Sequence, residues 1–162
     1  MNKRYPQNKL DEAVMRVVAC AGLDMVVADG GIVDLERKTL HSILNKYFTD
    51  DSGAEFVQEP KKRNARLRDA IAIINEEGDE RNKKFIVSCL VQLALADGKF
   101  ALLEEYPVFM NIVLKLGVDP MLAYSIIIET AQECGFGANV QAEEIARRIK
   151  DKLVESIISF YD

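Results

Sequence analysis

Apolar residues recur along this chain at intervals of three and four and almost never alternate strictly with polar ones, a pattern that predicts helices throughout and no strand. Seven helical segments can be placed on that basis. The first runs from about Leu10 to Ala28, and the second from Asp34 or Leu35 to Phe48. A polar stretch, Thr49 to Pro60, reads as a loop or short helix, with Pro60 ending whatever precedes it. The third segment covers about Lys62 to Asn75 and runs out at Glu76-Glu77-Gly78. The fourth opens at Asp79, a favourable N-cap, and continues to Ala96. It is apolar on nearly every side, including Phe85, Ile86, Val87, Leu90 and Leu93, which predicts a helix surrounded by others. The fifth runs from about Leu102 to Leu116 and stops at Gly117. The sixth starts at Asp119-Pro120, a cap followed by proline in the first helical position, and ends near Cys134. After a loop over Gly135–Gln141, a seventh segment extends from about Ala142 to Phe160, with Ile145, Ile149, Leu153 and Ile157 on one stripe.

The connections between the first and second segments and between the fourth and fifth carry the same residues. Ala28-Asp29-Gly30 with Leu35-Glu36 returns as Ala96-Asp97-Gly98 with Leu103-Glu104, a constant displacement of 68 positions. A repeat of that length marks a duplicated helical unit. The expected architecture is therefore all-α, a single compact seven-helix bundle made of two three-helix units, about 10–76 and 79–134, and a closing helix at about 142–160.

Each turn has a physical logic. Glycine leaves a helix through the left-handed conformation that other residues adopt only at a cost. Glu36 and Glu104, in the first turn of the following helix, face its free N–H groups and the positive end of its dipole, worth about 0.3–1 kcal/mol. Asp29 and Asp97 are harder to explain, because a negative charge at a helix C-terminus is disfavoured by a similar amount. Three kinds of compensation fit: a hydrogen bond to the backbone N–H groups of the next turn, a basic side chain, or a bound cation.

Asp29, Gly30 and Glu36, with Asp97, Gly98 and Glu104, make the chain resemble the tellurite-resistance TerB-like family over roughly Leu10 to Phe160. A related domain lies at the N-terminus of a membrane-anchored DnaJ-type co-chaperone. The resemblance implies a compact seven-helix fold, surface acidic residues that bind divalent cations, and a non-enzymatic role in stress or tellurite response. One feature departs from the family pattern: Val33 and Ala101 stand where the turn often supplies a Ser or Thr N-cap, and only the first copy offers a substitute, Asp34.

Composition narrows the classes of function. A chain of 162 residues with 49% hydrophobic residues supports one domain with a sizeable core. The net charge of −5 argues against nucleic acid as a partner. Lys61-Lys62-Arg63 with Arg66 and Arg68 is read as a solvated helix face balanced by Glu55, Glu59 and Asp69, since no aromatic residue is interleaved for base stacking. No apolar run approaches the roughly 20 residues of a membrane span, and no signal-peptide core follows Lys3-Arg4, so a soluble cytoplasmic protein is expected. Cys20, Cys89 and Cys134 have no CxxC spacing and read as reduced thiols, mainly in the core, with no intramolecular disulfide.

The obvious chemistries are excluded one by one. Gly31 and Val33 occupy positions where an EF-hand loop needs oxygen ligands. A ferritin-like di-metal centre requires Glu-x-x-His on two helices, and the single histidine, His41, is preceded by Lys38 and reads as solvent-facing. One histidine also leaves little room for a nucleophile–base triad. Gly135-Phe136-Gly137 follows a helix where a dinucleotide-binding loop would follow a strand. What stands is an interaction domain with a protein partner, a membrane protein included, that binds a divalent cation (Mg²⁺, Ca²⁺ or Mn²⁺) through Asp29, Glu36, Asp97 and Glu104. A metal-free scaffold of co-chaperone type is the alternative. A carboxylate-metal hydrolase, which needs those carboxylates inside a deep pocket, is the third reading.

Overall fold

The computed structural model describes residues 8–28, 34–48, 59–95 and 105–133, with Arg147 and Asp151. Among these residues there are six helices and no β-strand: α1 (Lys9–Ala28), α2 (Asp34–Tyr47), α3 (Pro60–Glu77), α4 (Glu80–Ala94), α5 (Glu105–Lys115) and α6 (Pro120–Glu133). The chain is thus an all-α bundle. The helix expected over 142–160 lies outside the described residues, apart from Arg147 and Asp151, which are both helical and exposed. Residues 49–58 of the stretch Thr49 to Pro60, expected as a loop or short helix, and the loop expected at 135–141 also lie outside them.

Local chemistry explains where the helices start. The Asn8 side chain accepts the Asp11 backbone N–H at 2.8 Å, and Asp119 accepts that of Met121 at 2.8 Å directly ahead of Pro120. At α4 the cap is reciprocal. Asp79 accepts the Asn82 backbone N–H at 3.1 Å while the Asn82 side-chain oxygen accepts the Asp79 N–H at 3.0 Å. That backbone bond, helped by Arg81, outweighs the effect of desolvation and holds the Asp79 carboxyl below its usual value of 3.8. A depressed pKa places the benefit in the ionised form. The stabilisation is complete above pH 3.8 and disappears as pH falls through the lower folded value. The difference in urea midpoint between the native protein and Asp79→Ala should therefore narrow under acid below that pH, while a difference that persists would mean the carboxylate is not the capping species.

Pro60 opens a helix. Glu59 is extended, at φ −75° and ψ 117°, and makes no side-chain cap, while Pro60 takes the first helical position. Its fixed φ suits the first turn and its missing N–H has no partner to lose there. The third helix thus starts two residues before the expected Lys62. In the second unit, α4 stops at Ala94, before the expected Ala96, with Leu95 at φ −91° and ψ 4°.

The end of α5 follows the sequence expectation closely. Gly117 has φ +68°, the Val118 N–H reaches the Val113 carbonyl at 3.0 Å, and the Gly117 N–H reaches that of Leu114 at 3.0 Å. This is a Schellman end, closed by burial of both Val113 and Val118. An added Cβ at Gly117 would meet only the Lys83 Nζ, at 4.0 Å, so sterics from neighbours are irrelevant there. Gly117→Ala should cost about 1–2 kcal/mol of unfolding free energy from backbone conformation alone, measured by urea denaturation. A loss under a few tenths would show that the turn relaxes.

Helices α1 and α4 form the centre. From Ala13 to Val26, α1 buries residues around most of its circumference. It packs most extensively on α3 and also on α4, α5 and α2. α4 packs on α6, α1, α2 and α5. These pairings correspond: α1 rests on α3 as α4 rests on α6, α1 on α2 as α4 on α5, and α1 on α5 as α4 on α2. The correspondence in chain position holds for the first two helices of each unit only. Residues 48–59 join α2 to α3, whereas 116–119 suffice between α5 and α6.

The close approach of the central helices depends on Gly22. A Cβ placed on it would lie 2.6 Å from the Leu40 Cδ1 of α2 and 3.3 Å from the Leu93 Cδ2 of α4. Helix α1 thus carries a glycine, unfavourable in a helix interior by about 0.5–1 kcal/mol relative to alanine, where two neighbours need the space. Two turns further along α2, Phe85 of α4 packs edge-on against Tyr47 and against Phe48 just beyond it, with ring centroids 5.1 and 6.1 Å away.

Candidate functional site

The two repeated turns are framed by α1 and α2 on one side and by α4 and α5 on the other. Asp29, Asp97 and Glu104 lie outside the described residues. Glu36 belongs to the first turn of α2, with its side chain outside the description. The frame itself is informative. Neither α1 nor α4 carries a basic residue in its last turn, so these helices do not themselves supply the basic side chain that would offset an aspartate following them. The packing of Leu93 over Gly22 also brings the C-terminal parts of α1 and α4 together. The contact lies about two helical turns ahead of Asp29 and about one ahead of Asp97.

Two polar contacts sit deeper in the same region, at equivalent positions of the two central helices. Asp24 of α1 accepts a hydrogen bond from the Nε of Arg63 in α3 at 2.5 Å. The arginine is only 5% exposed. Its partner's side chain is 20% exposed, so the pair keeps one edge towards water. Sixty-eight positions after Asp24 stands Gln92 of α4, whose Nε2 donates to the Tyr47 hydroxyl of α2 at 3.2 Å. One unit thus ties its central helix to a neighbour with an ion pair, and the other does so with a neutral hydrogen bond.

Arg63 corrects the reading of the basic segment as uniformly solvated. The rest of that segment fits the description: Lys62 pairs with Glu59 at 3.7 Å and Arg68 with Asp69 at 3.6 Å, all four side chains being well exposed. Arg63 instead points at α1, because the helical period turns it onto the face that buries Leu67, Ala70, Ile71 and Ile74. The available signal was the phase of Arg63 relative to those apolar positions, and the isolated acid Asp24 in the otherwise apolar stretch from Cys20 to Ala28.

Other candidate chemistry is modest. A shallow groove of about 180 Å³ between α1 and α3 is lined by Lys9, Glu12, Arg16, Asp69, Ala70 and Ile73, below the roughly 300–1,000 Å³ of small-molecule sites. Among the described residues, no group of three or more His, Cys, Asp and Glu side chains is placed to hold a metal. Cys20 and Cys89 are buried, and Cys134 lies outside the described residues. His41 is exposed on α2.

A family model described as tellurite resistance protein TerB matches residues 15–121. The chain belongs to the TerB family. The matched TerB segment begins within α1 and ends within α6, so it contains both repeated turns, Gly22 and both half-buried polar contacts. The expected closing helix at 142–160 falls beyond it. No curated protein matches the chain, and no solved structure does. No helix among the described residues of this TerB domain is long and apolar enough to cross a membrane.

Proposed function

We propose that this TerB domain is a non-enzymatic, cytoplasmic stress-response module of tellurite-resistance type that engages a protein partner and holds a divalent cation through its two Asp-Gly turns. The observation that carries the proposal is the family match across both turns, on a bundle whose α1 and α4 approach each other near the ends that lead into them. Asp29, Glu36, Asp97 and Glu104 supply oxygen donors only, a set suited to Mg²⁺, Ca²⁺ or Mn²⁺ and unsuited to thiophilic metals. If the four carboxylates come together, they repel one another, and a cation would relieve that repulsion. The partner, a membrane protein included, would recognise the cation-loaded form.

A divalent ion should raise the melting temperature. At a hundredfold excess over its dissociation constant it adds about 2.7 kcal/mol, which for a domain of this size corresponds to roughly 5–10 °C. The double substitution Asp29→Asn with Asp97→Asn should abolish that gain. In metal-free buffer the same substitution should be neutral or mildly stabilising, because it removes charge that follows two helix C-termini. Calorimetric and thermal titration with Ca²⁺, Mg²⁺ and Mn²⁺ decides between outcomes. If none of the ions binds, or the double variant loses several kcal/mol without metal, the aspartates are structural caps and the domain is a metal-free scaffold.

A further inference from the structure

We draw no further inference here: the strongest candidate, the shallow groove of mixed charge between α1 and α3 lined by Lys9, Glu12, Arg16 and Asp69, carries nothing because no feature of the structure shows what occupies it.

Discussion

Asp24→Ala is expected to destabilise the protein by about 3–5 kcal/mol, the usual consequence of stripping one member from a buried ion pair. The substitution removes the carboxylate that faces the Nε of an arginine only 5% exposed. The guanidinium cannot recover full hydration without moving the first turn of α3 away from α1. Removing the other partner, Arg63→Ala, should cost less from charge, since Asp24 already reaches water along one edge, but it adds lost packing of the arginine stem. Apolar replacement of both, Asp24→Leu with Arg63→Met, should recover most of the stability, because the desolvation cost of the two charges disappears with them. Urea denaturation of the three variants tests this. A single-variant loss below about 1 kcal/mol would place the pair among weak surface bridges. The loss should also vary little between low and moderate salt, as screening acts weakly on buried charge.

The second large effect is expected at Gly22. Alanine there gains helix propensity worth about 0.5–1 kcal/mol. It must also displace the Leu40 Cδ1, which its Cβ would meet at 2.6 Å. Leu40 is 1% exposed, so its side chain has no solvent to swing into. The steric cost should win, and Gly22→Ala should be destabilising overall by about 1–2 kcal/mol, within the usual range for overpacking. Gly22→Val adds two methyl groups against Leu40 and Leu93 and should exceed 3 kcal/mol, separating α1 from α4 as well as α2. Shortening the neighbour tests the cause. Combined with Leu40→Ala, the Gly22→Ala change should become neutral or favourable, because the added methyl then partly fills the vacated space. If the two substitutions are simply additive, the close contact is not what makes glycine necessary.

How much of this was legible in the sequence depended on the range of the interaction concerned. Asp79, Asp119-Pro120 and Gly117 govern their helix ends through bonds to residues two to five positions away, and all three were readable from their neighbours. The start of α3 was placed two residues late, at Lys62, because a proline can either end a preceding segment or take the first position of a helix, and the choice rests on the backbone that precedes it. The Asp24–Arg63 pair joins residues 39 positions apart, so each partner's oddity is local, the phase of Arg63 and the isolated charge of Asp24, but their pairing is not. Gly22 has the same character: its neighbours Leu40 and Leu93 come from two other helices. The candidate site divides in the same way. Its residues were recognised by a repeated local pattern, and the family match now spans that pattern, whereas the nearness of the two central helices became apparent only from tertiary packing.

The space at Gly22 bears on how far the two units have grown apart. Displacement by 68 positions carries Gly22 onto Leu90, which is fully buried in α4. The same displacement carries Leu40 onto Val108 and turns Met25 into Leu93. One unit therefore sets a glycine against a leucine, while the other has leucine at the glycine's position and valine at the leucine's. The large residue thus sits at a different place in each unit. A protein assembled from two copies of the first unit would carry glycine at both central positions and lack a leucine's worth of core; two copies of the second would crowd the same space. The units still share a succession of helices, yet they have become complementary parts, and neither can stand in for the other.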